Sequence, residues 1–154
     1  MAKYYYACSF SNKNKNKYTY ASSIKLNEGE FAVVPTNYNH CGFTIVEVHE
    51  RILKKNLNYD ADKLAEIVCR LKTKPEEEKE YNKHYICCIN GNRNDLTYIC
   101  SPVTLKPGDM VFADMEKRNI LNVLQENEKE VQGEYKLIQK ISFKRYDNKQ
   151  GIAF

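Results

Sequence analysis

Three histidines and six cysteines are the residues of this chain best suited to covalent or metal chemistry, and their spacing argues against both. His49-Glu50 opens like the metal-binding helix of a zinc protease. Position 53 is Leu53, however, so the second histidine of H-E-x-x-H is missing. Cys8, Cys41, Cys69, Cys87, Cys88 and Cys100 include no C-x-x-C pair, and the adjacent Cys87-Cys88 suits neither a zinc knuckle nor a thioredoxin-type couple. Cys8 with His40, or Cys88 with His84, can be drawn as nucleophile and base, but no orienting acid accompanies either pair. The segment from Asn90 to Asn94 has too few glycines for a phosphate loop and reads as a turn. Glu76, Glu77 and Glu78 read as a solvated face. The expectation is a protein that is not an enzyme and carries no cofactor or metal.

Binding chemistry is better represented. Tyr5, Tyr18, Tyr20 and Tyr38 are interleaved with Lys13, Lys15, Lys17, Arg93, Lys117 and Arg118. Cations of this kind track phosphates, and aromatic faces stack bases, at about 1–3 kcal/mol per base. The sequence reading therefore assigns these ten residues to a nucleic acid or nucleotide. The formal net charge of +4, from 24 basic and 20 acidic residues, permits such a partner without demanding it. Alternating tyrosines also suit a half-buried sheet, and lysines a solvated loop. A second class fits the same composition: a protein inhibitor or adaptor of the counter-defence (anti-CRISPR-like) kind, directed at a host defence protein. Its acidic stretch at residues 76–80 would imitate phosphates. Twelve tyrosines, no tryptophan and abundant Lys and Asn reflect AT-rich codons, as in a low-GC bacterium or its phages.

These residues need a scaffold, and the scaffold is written twice. Residues 18–35 and 96–114 share Thr-Tyr, a serine, a leucine and a Gly-acid turn. Thr19-Tyr20 aligns with Thr97-Tyr98, Ser23 with Ser101 and Leu26 with Leu105, with one residue inserted at Pro102. Upstream, Tyr5 aligns with Tyr85 and Cys8 with Cys88. A self-match at half the chain length marks a duplicated module. Strands are predicted over residues 3–10, 17–22, 31–35 and 43–48, and again over 84–89, 96–100, 110–113, 119–125 and 135–143. Phe31, Val33, Ile45, Met110, Phe112 and Val123 should be buried. Between the copies, Leu64, Ile67, Val68 and Leu71 fall at i, i+3, i+4 and i+7 behind Asp60, which predicts a capped helix over residues 60–71.

A strand, a Leu105-Lys-Pro-Gly-Asp109 turn and two Val-rich strands resemble small SH3-like barrels. The N-terminal 3′-end-binding module of the bacterial primosomal helicase is one such barrel. The first copy carries Gly29-Glu30 where that pattern has Gly-Asp. The resemblance implies single-strand binding. The expected fold class is mainly β (α+β): two duplicated SH3-like barrels at residues 2–50 and 82–145, a helical connector at 51–81 and a tail at 146–154. The N-terminus lacks the apolar core of a signal peptide and no run is long enough to span a membrane, so the expected location is cytoplasmic, away from membranes.

Overall fold

A computed structural model describes residues 4–10, 16–37 and 39–142. The first module contains β1 (Tyr4–Phe10), β2 (Tyr18–Ser22), β3 (Phe31–Pro35), β4 (Phe43–Arg51) and β5 (Cys69–Arg70). They form a five-stranded sheet in the order β2-β1-β4-β3-β5, a half-barrel. The second contains β6 (Lys83–Ile89), β7 (Asn92–Ser101), β8 (Met110–Ala113), β9 (Leu121–Glu126) and β10 (Tyr135–Lys140). These close into a barrel in the order β10-β7-β6-β9-β8. The protein is thus mainly β, with two β modules.

The expected connector helix does not form. Residues 54–56 and 61–63 make single 3-10 turns, the second capped by the Asp60 carboxylate, which accepts from the Asp62 N–H at 3.1 Å. After Leu64 the chain is extended. Ala65 and Ile67 exchange backbone hydrogen bonds with Ala21, and Val68 and Leu71 donate to the carbonyls of Val33 and Phe31. Residues 65–71 therefore run extended along the first module, bridging to Ala21 at Glu66 and pairing with β3 as β5 at Cys69–Arg70. Their apolar residues fit a helix template, but a strand buried on both faces satisfies them equally. Ile67 enters the first module's core, while Val68 and Leu71 enter a cluster shared by both modules.

Local geometry is repeated between the modules in detail. The Leu26 N–H donates to the Tyr6 hydroxyl at 2.8 Å, and the Leu105 N–H donates to the Tyr85 hydroxyl at 2.9 Å. Ser22 and Ser101 each bond the backbone two residues onward. Gly29 (φ +89) and Gly108 (φ +93) turn the chain, and their N–H groups donate to Val48 and Val123. Behind each turn, Glu30 pairs with Arg70 at 2.7 Å and Asp109 with Lys140 at 3.5 Å. From Tyr6 and Tyr85 through Glu30 and Asp109 the structural equivalences run at one constant offset, which shortens after β3. Tyr6, not Tyr5, answers Tyr85; Ser22, not Ser23, answers Ser101; and no insertion occurs at Pro102.

Each module has its own core. Tyr6, Cys8, Ala32, Val34 and Val48 pack in the first, and Tyr85, Cys87, Val111, Ala113 and Val123 in the second. The alternate residues of the same strands face outward and build a third cluster. Val33, Phe43 and Ile45 meet Phe112, Ile120 and Ile138 there, with Phe31 and Met110 half-buried at its margin. Thus four of the six residues expected in the core are fully buried, and Phe31 and Met110 are partly covered. Burying a side chain of this size contributes about 1.5–3 kcal/mol, so the joint is an integral core. Gln139 fastens its edge: it accepts from the Lys72 N–H at 2.9 Å and donates to the Arg70 carbonyl at 3.1 Å. Among the described residues, no helix is long and apolar enough to cross a membrane.

Candidate anion-binding groove

The strands scatter the residues that the sequence reading grouped together. Tyr5 and Tyr20 are each only 8% exposed and present no open ring face. Tyr18 is 41% exposed and leans against Phe10 with ring centroids 5.3 Å apart; Lys17 beside it is exposed. Arg93 is exposed on β7, in the other module. Lys117 and Arg118 lie in the β8–β9 loop, where the Arg118 guanidinium sits 3.8 Å from the Phe31 ring centroid. That cation–π contact spans the two modules and commits Arg118 to their joint. Lys13, Lys15, Tyr38 and the tail at 146–154 lie outside the described residues.

Lysines converge elsewhere. Lys72, Lys79 and Lys140 line a groove of about 320 Å³ together with the Glu76 carboxylate, the Tyr81 ring, Pro102, Val103 and Leu137. Sequence separates these residues widely. Lys72 follows the strand that ends the first module, Tyr81 precedes β6, Val103 follows β7, and Lys140 ends β10. Tyr81 is anchored by donating its hydroxyl to the Glu76 carbonyl at 2.9 Å, and Lys136 Nζ lies 5.3 Å from its centroid. Lys79 pairs with Glu76 at 3.6 Å and Lys140 with Asp109 at 3.5 Å, with about half of each lysine side chain exposed. Exposed pairs of this kind contribute about 0–1 kcal/mol, so both ammonium groups can turn to an incoming anion at little cost. The signal in the sequence was the charged segment at residues 72–83, although nothing there indicates that Lys140 joins it.

A second cavity, of about 330 Å³, lies at the joint. His40 and Cys41 of the first module face Cys88, Arg93 and Asn122 of the second across it. The β6–β7 hairpin creates this contact. Asn90 (φ +52) and Gly91 (φ +78) both take the left-handed conformation that a two-residue hairpin turn requires. A Cβ at Gly91 would lie 2.6 Å from the Cys41 nitrogen, so only glycine admits so close an approach. On the other side, Asn39 Oδ1 accepts from the N–H groups of Cys41 and Gly42, which shapes the bend. Asn122 Oδ1 is buried with no hydrogen-bond partner.

Cys8 is buried in the first module's core while His40 lines the joint cavity, and His84, four residues before Cys88 on β6, is paired with an acid that the sequence did not reveal. His84 Nδ1 faces the Glu134 carboxylate at 2.8 Å, and His49 Nε2 lies 2.6 Å from the Ser9 hydroxyl. All six cysteines are free thiols. Burial pushes the Cys8 and Cys87 thiols up to about 12 and the Cys69 thiol to about 11. Burial also raises Cys41 and Cys100. A thiol held in its neutral form is a poor nucleophile. Among the described residues, no group of three or more His, Cys, Asp or Glu is placed to hold a metal ion. In comparisons with protein-family models, curated proteins and solved structures, the chain matches none significantly.

Proposed function

We propose that this chain is an internally duplicated pair of SH3-like modules, the first an open half-barrel and the second a closed barrel, that acts by binding, without catalysis, and that its ligand is a nucleic acid or nucleotide held by its phosphates. The observation that carries this reading is the convergence of Lys72, Lys79 and Lys140 on one groove with the Tyr81 ring in its wall. A concave site combining cations with an aromatic face suits a phosphate next to a base. The repeated hydroxyl-to-backbone bonds of Tyr6 and Tyr85, and the repeated acid–base pairs behind each glycine turn, support the duplication. The five thiols held protonated by burial support action by binding.

The test is a titration of the protein against labelled single- and double-stranded oligonucleotides at low and physiological salt. Each phosphate contact in a single strand contributes about 0.7 to the slope of log affinity against log salt. The triple variant Lys72→Gln, Lys79→Gln, Lys140→Gln is expected to lower that slope by about 2 and to weaken binding. Absence of binding at low salt, or an unchanged slope in the variant, would overturn the reading.

One observation favours a protein partner instead. Ile24 and Val103 occupy equivalent positions after β2 and β7 and are 39% and 48% exposed. A symmetric pair of aliphatic side chains, with the exposed acids Glu76, Glu77 and Glu78 nearby in sequence to Tyr81, suits an inhibitor or adaptor. A captured protein that is released by Ile24→Asp with Val103→Asp would support this second reading.

A further inference from the structure

Two carboxylates hold lysines of the groove, and they are built differently. Asp109 belongs to the fold. Its Oδ2 accepts from the Lys106 N–H at 2.8 Å while Lys140 lies 3.5 Å away, and its side chain is only 18% exposed. The first module repeats that arrangement: Glu30 accepts from the Asn27 N–H at 2.6 Å and pairs with Arg70 at 2.7 Å. Asp109 is therefore fixed by its glycine turn, and its pair with Lys140 is part of the duplicated scaffold.

Glu76 has no such support. It lies in the connector between β5 and β6, outside the repeated strands, and lines the groove beside Lys72, Lys79 and Lys140. Among the described residues its carboxylate pairs with Lys79 alone, at 3.6 Å, and 54% of its side chain is exposed. Its backbone is tied instead, because the Glu76 carbonyl accepts from the Tyr81 hydroxyl at 2.9 Å. The carboxylate can thus leave Lys79 by rotating between staggered side-chain states while Tyr81 stays in place. Lys72 completes the contrast: among the described residues it makes no ion pair.

We infer that Glu76 is a resident competitor for the groove: its carboxylate holds Lys79, and an anion binds by displacing it. This rests on reading the groove as an anion site and adds what regulates entry to it. A monoanion that reaches only Lys79 replaces one exposed ion pair by another and gains little. A chain of phosphates also reaches Lys72, which Glu76 leaves open, and so out-competes the resident carboxylate.

The test measures the affinities of a labelled single-stranded oligonucleotide and of inorganic tripolyphosphate for the full chain at low salt. Glu76→Gln should tighten both about three- to fivefold, the most that an exposed pair withholds. In a Lys79→Gln background that gain should shrink below twofold, whereas in a Lys72→Gln background it should persist, because only Lys79 is coupled to Glu76. Glu77→Gln removes the same charge outside the groove lining and should leave both affinities within twofold. All four positions are exposed, so folding is not at stake. No gain from Glu76→Gln, an equal gain from Glu77→Gln, or a full gain without Lys79 would overturn the inference while leaving a groove that binds the oligonucleotide. If tripolyphosphate shows the expected pattern and the oligonucleotide binds none of these proteins, Glu76 keeps its role and the nucleic-acid reading falls. If neither probe binds any of them, both fall.

Discussion

Replacing Gly91 by alanine should damage this protein more than the same change at Gly29, and the difference isolates one contact. Both glycines sit at positive φ, +78 and +89, where a side chain costs roughly 1–2 kcal/mol. Both changes also stiffen the unfolded chain to a similar extent, so that effect cancels. A Cβ at Gly29 meets nothing within 4 Å, whereas one at Gly91 falls 2.6 Å from the Cys41 nitrogen and 2.7 Å from the His40 carbonyl carbon. Ordinary contact is about 3.5–4.0 Å, and these obstacles are backbone atoms that no rotamer can move. Overpacking of this kind costs about 1–3 kcal/mol. Gly29→Ala should therefore lose about 1–2 kcal/mol and Gly91→Ala about 2–5 kcal/mol. Urea denaturation read by circular dichroism measures both, with equal m values required for the comparison. Losses that agree within about 0.5 kcal/mol, the scatter of independent sites, would refute the argument that the modules meet at this point.

Two other perturbations test the repeated geometry and the buried thiols. Tyr6→Phe and Tyr85→Phe each leave a buried leucine N–H without its acceptor, and each should cost about 1–3 kcal/mol by chemical denaturation. Because the two bonds match, the losses should be similar and additive in the double variant; a loss at only one site would undo the equivalence. Cys8 and Cys87 are raised from 9.0 to about 12 by burial. The folded state thus holds these protons more tightly than the unfolded state. Their contribution is complete below pH 9 and is lost as pH rises towards 12. Stability measured across that range should decline, less steeply in a Cys8→Val, Cys87→Val variant, and an identical slope would rule the thiols out as a cause.

Much of the sheet was legible because its signals are local. Gly29 and Gly108 mark turns, and the apolar runs Phe31–Pro35 and Met110–Ala113 mark strands buried on both faces. The last strand of the first module was misread because a residue's spacing does not reveal how many faces its element buries. Leu64, Ile67, Val68 and Leu71 satisfy a helical stripe, yet Ile67 and Val68 point into different cores. The offset of the repeat slipped for a related reason. Three consecutive tyrosines and two consecutive serines offer equally good matches, and only the hydrogen bonds of Tyr6 and Ser22 decide between them. The candidate sites were the least legible part. Lys72, Tyr81, Val103 and Lys140 become neighbours only through strand order, while Tyr5 and Tyr20, attractive as stacking residues, are used up in packing.

The shared cluster between the modules also orders events in time. A chain made from its N-terminus completes the first module once Leu71 has emerged, but Val33, Phe43 and Ile45 find their opposite wall only when Phe112, Ile120 and Ile138 exist. Through nearly half of synthesis the nascent protein therefore carries an open apolar face, fit for any passing hydrophobic surface. The two halves are expected to fold quickly through their own short-range hairpins and to dock last, as an intramolecular association at the high effective concentration that the chain connection provides.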